Sequence, residues 1–205
     1  MPSWHLVNAD EIALLNKYTF YKPSREIIKL VMPGEDVKLI FKFESDDPEA
    51  PGAERMWVLV DEICDGNRFK GRLNNQPRYI LDLKPDDPVE FEACHIINTE
   101  HDDHNNLVER YIKRCFVTKR VLNEGYKVGY LYREEPDEER DSGWRITSNT
   151  EPDEYMDDGA NIAYVSLGAV LSKDDSFVSL LEHQTGAAFI RDESTGQFIA
   201  VPDDG

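Results

Sequence analysis

The run "DVKLIFKFE" at residues 36–44 constrains this chain more than any other segment. Val37, Leu39, Phe41 and Phe43 alternate with Lys38, Lys42 and Glu44, and Ile40 is the one intruder on the polar face. A period of two is that of an extended strand with one buried and one wet face. Its neighbours read the same way. A Pro- and Asp-rich loop, "SDDPEAPGAE", leads to "RMWVLVDEI", and Asp65-Gly66-Asn67 turns the chain into "RFKGRLNN". There Phe69 and Leu73 fall on one face and Arg68, Lys70 and Arg72 on the other. Asp-Gly between two such runs predicts a hairpin, because the turn needs residues tolerant of positive φ. In "YILDLKPDDPVEFEACHII", Val89, Phe91 and Ala93 alternate with Glu90 and Glu92 and predict a further strand. Ahead of them, "PSREIIKLVM" predicts a short helix with Ser24 as N-cap, stopped by Pro33 and Gly34. The first half therefore reads as a small, curved antiparallel sheet or half-barrel with a helix in front.

The polar segment "NTEHDDHNN", Asn98 to Asn106, marks a boundary, giving domains at 1–104 and 105–205. Beyond it, "LVERYIKRCFVTKRVL" mixes helical and strand character. "YKVGYLYRE" and "GWRIT" predict strands on either side of an acidic loop. "NIAYVSLGAVLSKDDSFVSLLEH" reads as strand or turn followed by short helical pieces, and "AAFIRDESTGQFIAV" as a hairpin about a Ser-Thr-Gly turn. No repeat approaches a solenoid period. The expected fold class is α+β: two small domains, each a curved, mainly antiparallel sheet with one or a few short helices.

Composition then limits the partners. With 41 acidic and 23 basic residues among 205, the net charge is −18. That disfavours nucleic-acid phosphates and anionic lipid, both of which need clustered Lys and Arg. The surplus is uneven: residues 118–205 carry −11 and the first 117 carry −7. Cys64, Cys94 and Cys115 are odd in number and widely spaced, which predicts no disulfide framework and a reducing compartment. The first residues, "MPSWHLVNADEIALL", lack a basic leader followed by an apolar core, and no run reaches the length of a membrane span. The expectation is a cytoplasmic globular protein with no membrane contact.

Catalytic and metal patterns are weak. Cys94, His95, His101, His104 and Cys115 lie close in sequence, but there is no Cys-x-x-Cys, and Cys94 and His95 are expected to alternate across a strand. The calcium-loop order is absent from 134–141 and 151–158. No nucleophile elbow and no phosphate-cradling glycine loop is present. The expectation is no enzyme, no metal and no cofactor.

The acidic run is the remaining feature. From Tyr130 to Tyr155 nine acidic residues face three basic ones, with Trp144 and Ile146 interrupting the charge. One reading is a solvated loop. The other holds the carboxylates of Glu134, Glu135, Asp137, Glu138, Glu139, Asp141, Asp153, Glu154, Asp157 and Asp158 on fixed loops. Carboxylates so held steer and specify a basic protein partner, with Trp144 and Tyr155 as aromatic anchors. For Trp144, core packing and partner contact both stand open.

The elements "KVGYLYREEP", "DSGWR", "EPDEYMDD", "NI" and "GAAFIRD", spanning about Cys115 to Val201, closely resemble the bacterial immunity protein family 33, also catalogued as domain of unknown function 2185. "VKLIFKFE", "ERMWVLVDEI", "GRLNNQPRYI" and "LKPDDPVEFEACHI" resemble domain of unknown function 2314. The first resemblance implies a cytosolic, non-enzymatic protein that binds a cognate bacterial toxin of a polymorphic toxin system and neutralises it stoichiometrically. A basic toxin domain is the partner the charge favours. The alternative is a housekeeping or regulatory protein that binds a small molecule or a non-toxin partner. Neither family lends established site residues, so the acidic positions above rest on the residues alone.

Overall fold

The computed structural model describes residues 2–45, 47–65 and 67–202. The chain folds as two compact units, residues 1–106 and 107–205.

In the first unit, β1 (Trp4–Leu6), α1 (Ala9–Leu15) and α2 (Arg25–Ile28) precede β2 (Asp36–Phe43), β3 (Ala53–Ile63) and β4 (Arg68–Leu73). Ser24 caps α2 as its sequence predicts, accepting from the Ile27 amide. Gly66, the centre of the expected Asp-Gly turn, lies outside the described residues. Around it Asp65 accepts from the Arg68 amide at 3.0 Å, and β3 and β4 pair antiparallel. After β5 (Pro88–Glu92) the chain passes through one 3-10 turn, Ala93–His95, straight into β6 (Ile96–Thr99). Cys94 and His95 thus share a tight turn and do not alternate along a strand. The Glu92 carboxylate accepts from the His95 amide, while His95 Nδ1 accepts from the Glu92 amide at 3.0 Å. This reciprocal cap fixes the kink. β5 pairs with β4, whereas β6 pairs with β2, and β1 takes the remaining length of β2. The all-antiparallel sheet consequently curls until its ends nearly meet.

Its interior is filled by Val37, Leu39, Phe41, Val58, Phe69 and Phe91 and closed by Ile28 and Val31. Ile40, the intruder on the polar face, is buried on the opposite side with Ala9 of α1 and Ile97 of β6. The helix covers that part of the outer face, so an apolar residue there is part of a second, small core. Ile40→Ala is expected to cost about 2–5 kcal/mol in chemical denaturation, whereas an uncovered face would lose roughly 0.5 or less.

The second unit contains α3 (Leu107–Arg110), β7 (Arg114–Thr118), α4 (Lys119–Asn123), β8 (Tyr130–Arg133), β9 (Asp141–Thr147), α5 (Asp153–Met156), β10 (Ile162–Ser166), α6 (Leu167–Leu171), β11 (Ala188–Arg191) and β12 (Phe198–Ala200). The stretch that mixed helix and strand signals resolves into α3, β7 and α4. The sheet order is β10-β7-β9-β8-β11-β12, with β7 and β9 parallel and every other neighbouring pair antiparallel. Cys115, Val117, Leu131, Trp144, Ile146 and Phe189 fill the core face of the sheet, and Val121, Val170 and Leu171 on α4 and α6 are buried as well. These helices are too short to persist alone, and they depend on that packing. The α+β class expected from the sequence is the one observed.

Candidate protein-binding face

Strand alternation sends one set of second-unit residues to the core and the other set to the opposite face. Tyr164, Phe116, Arg145 and Tyr132 pair directly across β10, β7, β9 and β8, forming one row on that second face. The next row holds Ile162 beside Thr118, and Thr147 beside Tyr130 and Ile190. Phe116 stacks on Tyr164 at 4.7 Å between centroids, Tyr130 lies 5.6 Å from Tyr132, and the Arg145 guanidinium sits 4.8 Å from the Phe116 ring centre. Phe116, Tyr130, Tyr132, Glu151, Met156 and Ile162 line an open cavity of about 340 Å³ here.

Arg145 ties the first acidic loop to this face. Its guanidinium makes a two-pronged contact with Asp141, Nη1 to Oδ1 at 3.1 Å and Nη2 to Oδ2 at 2.9 Å. Nε donates to Glu134 at 2.9 Å, and Nη2 reaches Asp137 at 3.4 Å. Asp141 is 1% exposed. Burial opposes its ionisation, but Arg145 and the Gly143 and Asp137 amides outweigh it and hold the carboxyl at about 2. Gly143 has φ +80°, and a Cβ there would strike the Glu134 carbonyl oxygen, so the loop returns across a position that only glycine fills easily. Tyr164 then donates its hydroxyl to Glu138 at 2.9 Å. The loop is fastened at four carboxylates.

The second acidic loop is organised by Glu151. Its carboxylate accepts the Thr118 hydroxyl at 2.5 Å and the Ser148 and Thr150 amides at 2.9 and 3.0 Å. Burial opposes ionisation of this group too, yet the Thr118 hydroxyl and the Ser148 amide help to lower its pKa. Beyond it, α5 brings Met156 to the cavity, and Arg120 stacks over Tyr155 at 4.9 Å. The two loops leave opposite ends of β9, so the aromatic rows lie between them.

The family model for an uncharacterised protein conserved in bacteria, DUF2314, matches residues 7–141. The chain belongs to the DUF2314 family. An immunity protein Imm33 domain matches residues 115–202, which takes in every strand of the aromatic face. The two matches share 115–141, from β7 to the first residue of β9. No curated protein and no solved structure matches the chain.

Within the Imm33 match, the residues expected to meet a partner divide into three groups. Trp144 and Asp141 are each 1% exposed and cannot reach a partner: the indole faces the core below Arg133, and the carboxylate is enclosed by Arg145. That corrects their assignment as contact residues. Glu134, Asp137 and Glu138 stay exposed but are bonded to the sheet, the first two to Arg145 and the third to Tyr164, and Asp158 caps the turn at Ala160. Glu135, Glu139, Asp153, Glu154 and Asp157 are exposed, and their side chains make no hydrogen bond or ion pair among the described residues. Tyr155 is half-buried beneath Arg120, with its hydroxyl enclosed.

The sequence reading missed Phe116, Tyr164, Arg145 and Glu151 as members of this face. Alternation in "CFVT" and "YLY" does place Phe116 opposite Cys115 and Val117, and Tyr130 and Tyr132 opposite Leu131. Among the described residues no three His, Cys, Asp or Glu side chains gather as a metal site, and no helix is long and apolar enough to cross a membrane.

Arg145→Met leaves Asp141 charged, buried and unpaired, and is expected to cost about 3–5 kcal/mol in urea unfolding. Adding Asp141→Asn should recover part of that loss. Because Asp141 has a depressed pKa, its contribution is full above the ordinary carboxyl value of about 3.9 and is lost as pH falls towards about 2. The urea midpoint should therefore drop across that interval, and Asp141→Asn should remove this part of the acid dependence.

Proposed function

We propose that the second unit is an immunity module: it binds a basic toxin protein in the cytoplasm, one to one, on the aromatic face between the acidic loops, and performs no chemistry. One observation carries this reading. The residues that match the Imm33 domain form an aromatic face flanked by loops with carboxylates that have no partner among the described residues. Glu135 and Glu139 supply that charge at one end, and Asp153, Glu154 and Asp157 at the other.

The physical division of labour follows from exposure. Unpaired rim carboxylates accelerate encounter with a cationic surface and exclude partners of like charge. Tyr130, Tyr132 and Phe116 offer rigid contact area whose burial slows dissociation. Arg145 and Glu151, the charged groups nearest the cavity, are already saturated by internal bonds. They hold shape, and neither is poised as an acid, base or nucleophile, which supports binding over catalysis.

The test is inhibition of a basic toxin domain, sought among the products of the genes neighbouring this one. Wild type should abolish its activity at one equivalent. Changing Glu135, Glu139, Asp153 and Glu154 together to Lys should lower the association rate about 10-fold or more and flatten its salt dependence. Tyr130→Ala with Tyr132→Ala should act mainly on dissociation. Full-strength inhibition by both variants would sink the proposal.

A further inference from the structure

The first unit holds a cavity whose charge runs against that of the chain. It is about 390 Å³, and its lining includes Lys22, Arg25, Lys29, Asn67 and Cys94. We infer that it is a binding site for a small phosphate-bearing molecule, with Lys22, Arg25 and Lys29 as the anion's partners.

The arrangement of the three cations carries this. The Lys22 side chain is only 9% exposed, its ammonium paired with Asp10 at 3.1 Å and donating to the Ala93 carbonyl at 3.3 Å. A lysine ammonium has three donors, so these contacts leave one for a ligand. Arg25 and Lys29 stand one helical turn apart, with the Lys29 amide bonded to the Arg25 carbonyl at 3.2 Å. Like charges at this spacing repel and destabilise a helix. Where acids outnumber bases 41 to 23, neighbouring carboxylates would be the expected remedy. Neither side chain has one: among the described residues Arg25 and Lys29 make no side-chain hydrogen bond or ion pair. An external anion resolves that repulsion, and two cations beside a third suit a dianionic group.

Two acids also line the cavity, and both are engaged. Asp10 is paired with Lys22, and Glu92 accepts the His95 amide. Burial and then the Glu92 and Asp10 charges raise the pKa of the Cys94 thiol, so it is protonated at neutral pH and serves as wall, not nucleophile. The volume lies in the usual range for small-molecule sites, roughly 300–1,000 Å³. All these residues belong to the unit that lies outside the Imm33 match, so the inference is independent of toxin binding.

The experiment is an amide-resolved NMR titration of the full chain with inorganic phosphate, at constant ionic strength near about 0.15 M so that screening is held fixed. Saturable shifts should gather at Lys22, Arg25, Lys29, Asn67 and Cys94. Arg25→Glu with Lys29→Glu should weaken binding at least about tenfold, the loss expected when charge-assisted contacts are removed. Arg25→Ala with Lys29→Ala should weaken it less, and an unchanged urea midpoint would show that the fold persists. Shifts that never saturate, that spread over the surface, or that survive both pairs of substitutions would overturn the proposal. Binding of succinate without phosphate would overturn it as well, marking a carboxylate site.

Discussion

The buried contact between Asp141 and Arg145 sets the geometry of the second unit's open face. Asp141 begins β9 and Arg145 sits four residues along it, and the pair meets across an irregular start of the strand, where Gly143 has φ +80° and the register against β7 shifts. The guanidinium then collects Glu134 and Asp137 and draws the acidic loop down beside the aromatic rows. Taking a carboxylate out of water is costly, and the two-pronged contact together with the Gly143 and Asp137 amides compensates that cost. Pairing of this kind is better suited to fixing one loop conformation than to adding stability. A rigid loop presents its remaining carboxylates at defined positions, which recognition requires.

A comparable constraint shapes the first unit. The reciprocal Glu92–His95 cap bends one continuous segment so that β5 and β6 serve opposite ends of the same sheet. The curl brings the ends of the sheet close together and encloses an apolar interior. The outer surface is then available for other purposes: α1 covers Ile40, and Lys22 with α2 frames the cationic cavity.

Much of this fold was legible in advance because backbone period is local. Alternation in residues 36–44 and 68–73 identifies β2 and β4, Ser24 identifies the start of α2, and the polar run at 98–106 ends within the first unit. The acidic site was only half legible. Counting carboxylates cannot separate Glu135, which faces water, from Asp141, which is sealed against Arg145. That distinction depends on which residues a hairpin brings back together. Trp144 illustrates the same limit. "GWRIT" puts Trp144 and Ile146 on one face and Arg145 and Thr147 on the other, but both faces carry large rings. Only the packed interior on the Trp144 side decides which face is the core.

By itself, then, the sequence determined strand period, helix start, turn chemistry, the acidic surplus and the family resemblances, all of which are encoded by near neighbours or by composition. Tertiary structure decided which carboxylates are spent and which are free, which aromatics are core and which are surface, and that three cations gather in an acidic chain. Those outcomes depend on pairings such as Arg145 with Glu134, or Lys22 with Ala93, set by strand register and turn geometry. Local propensity is blind to such pairings because the partners meet only after the chain has folded.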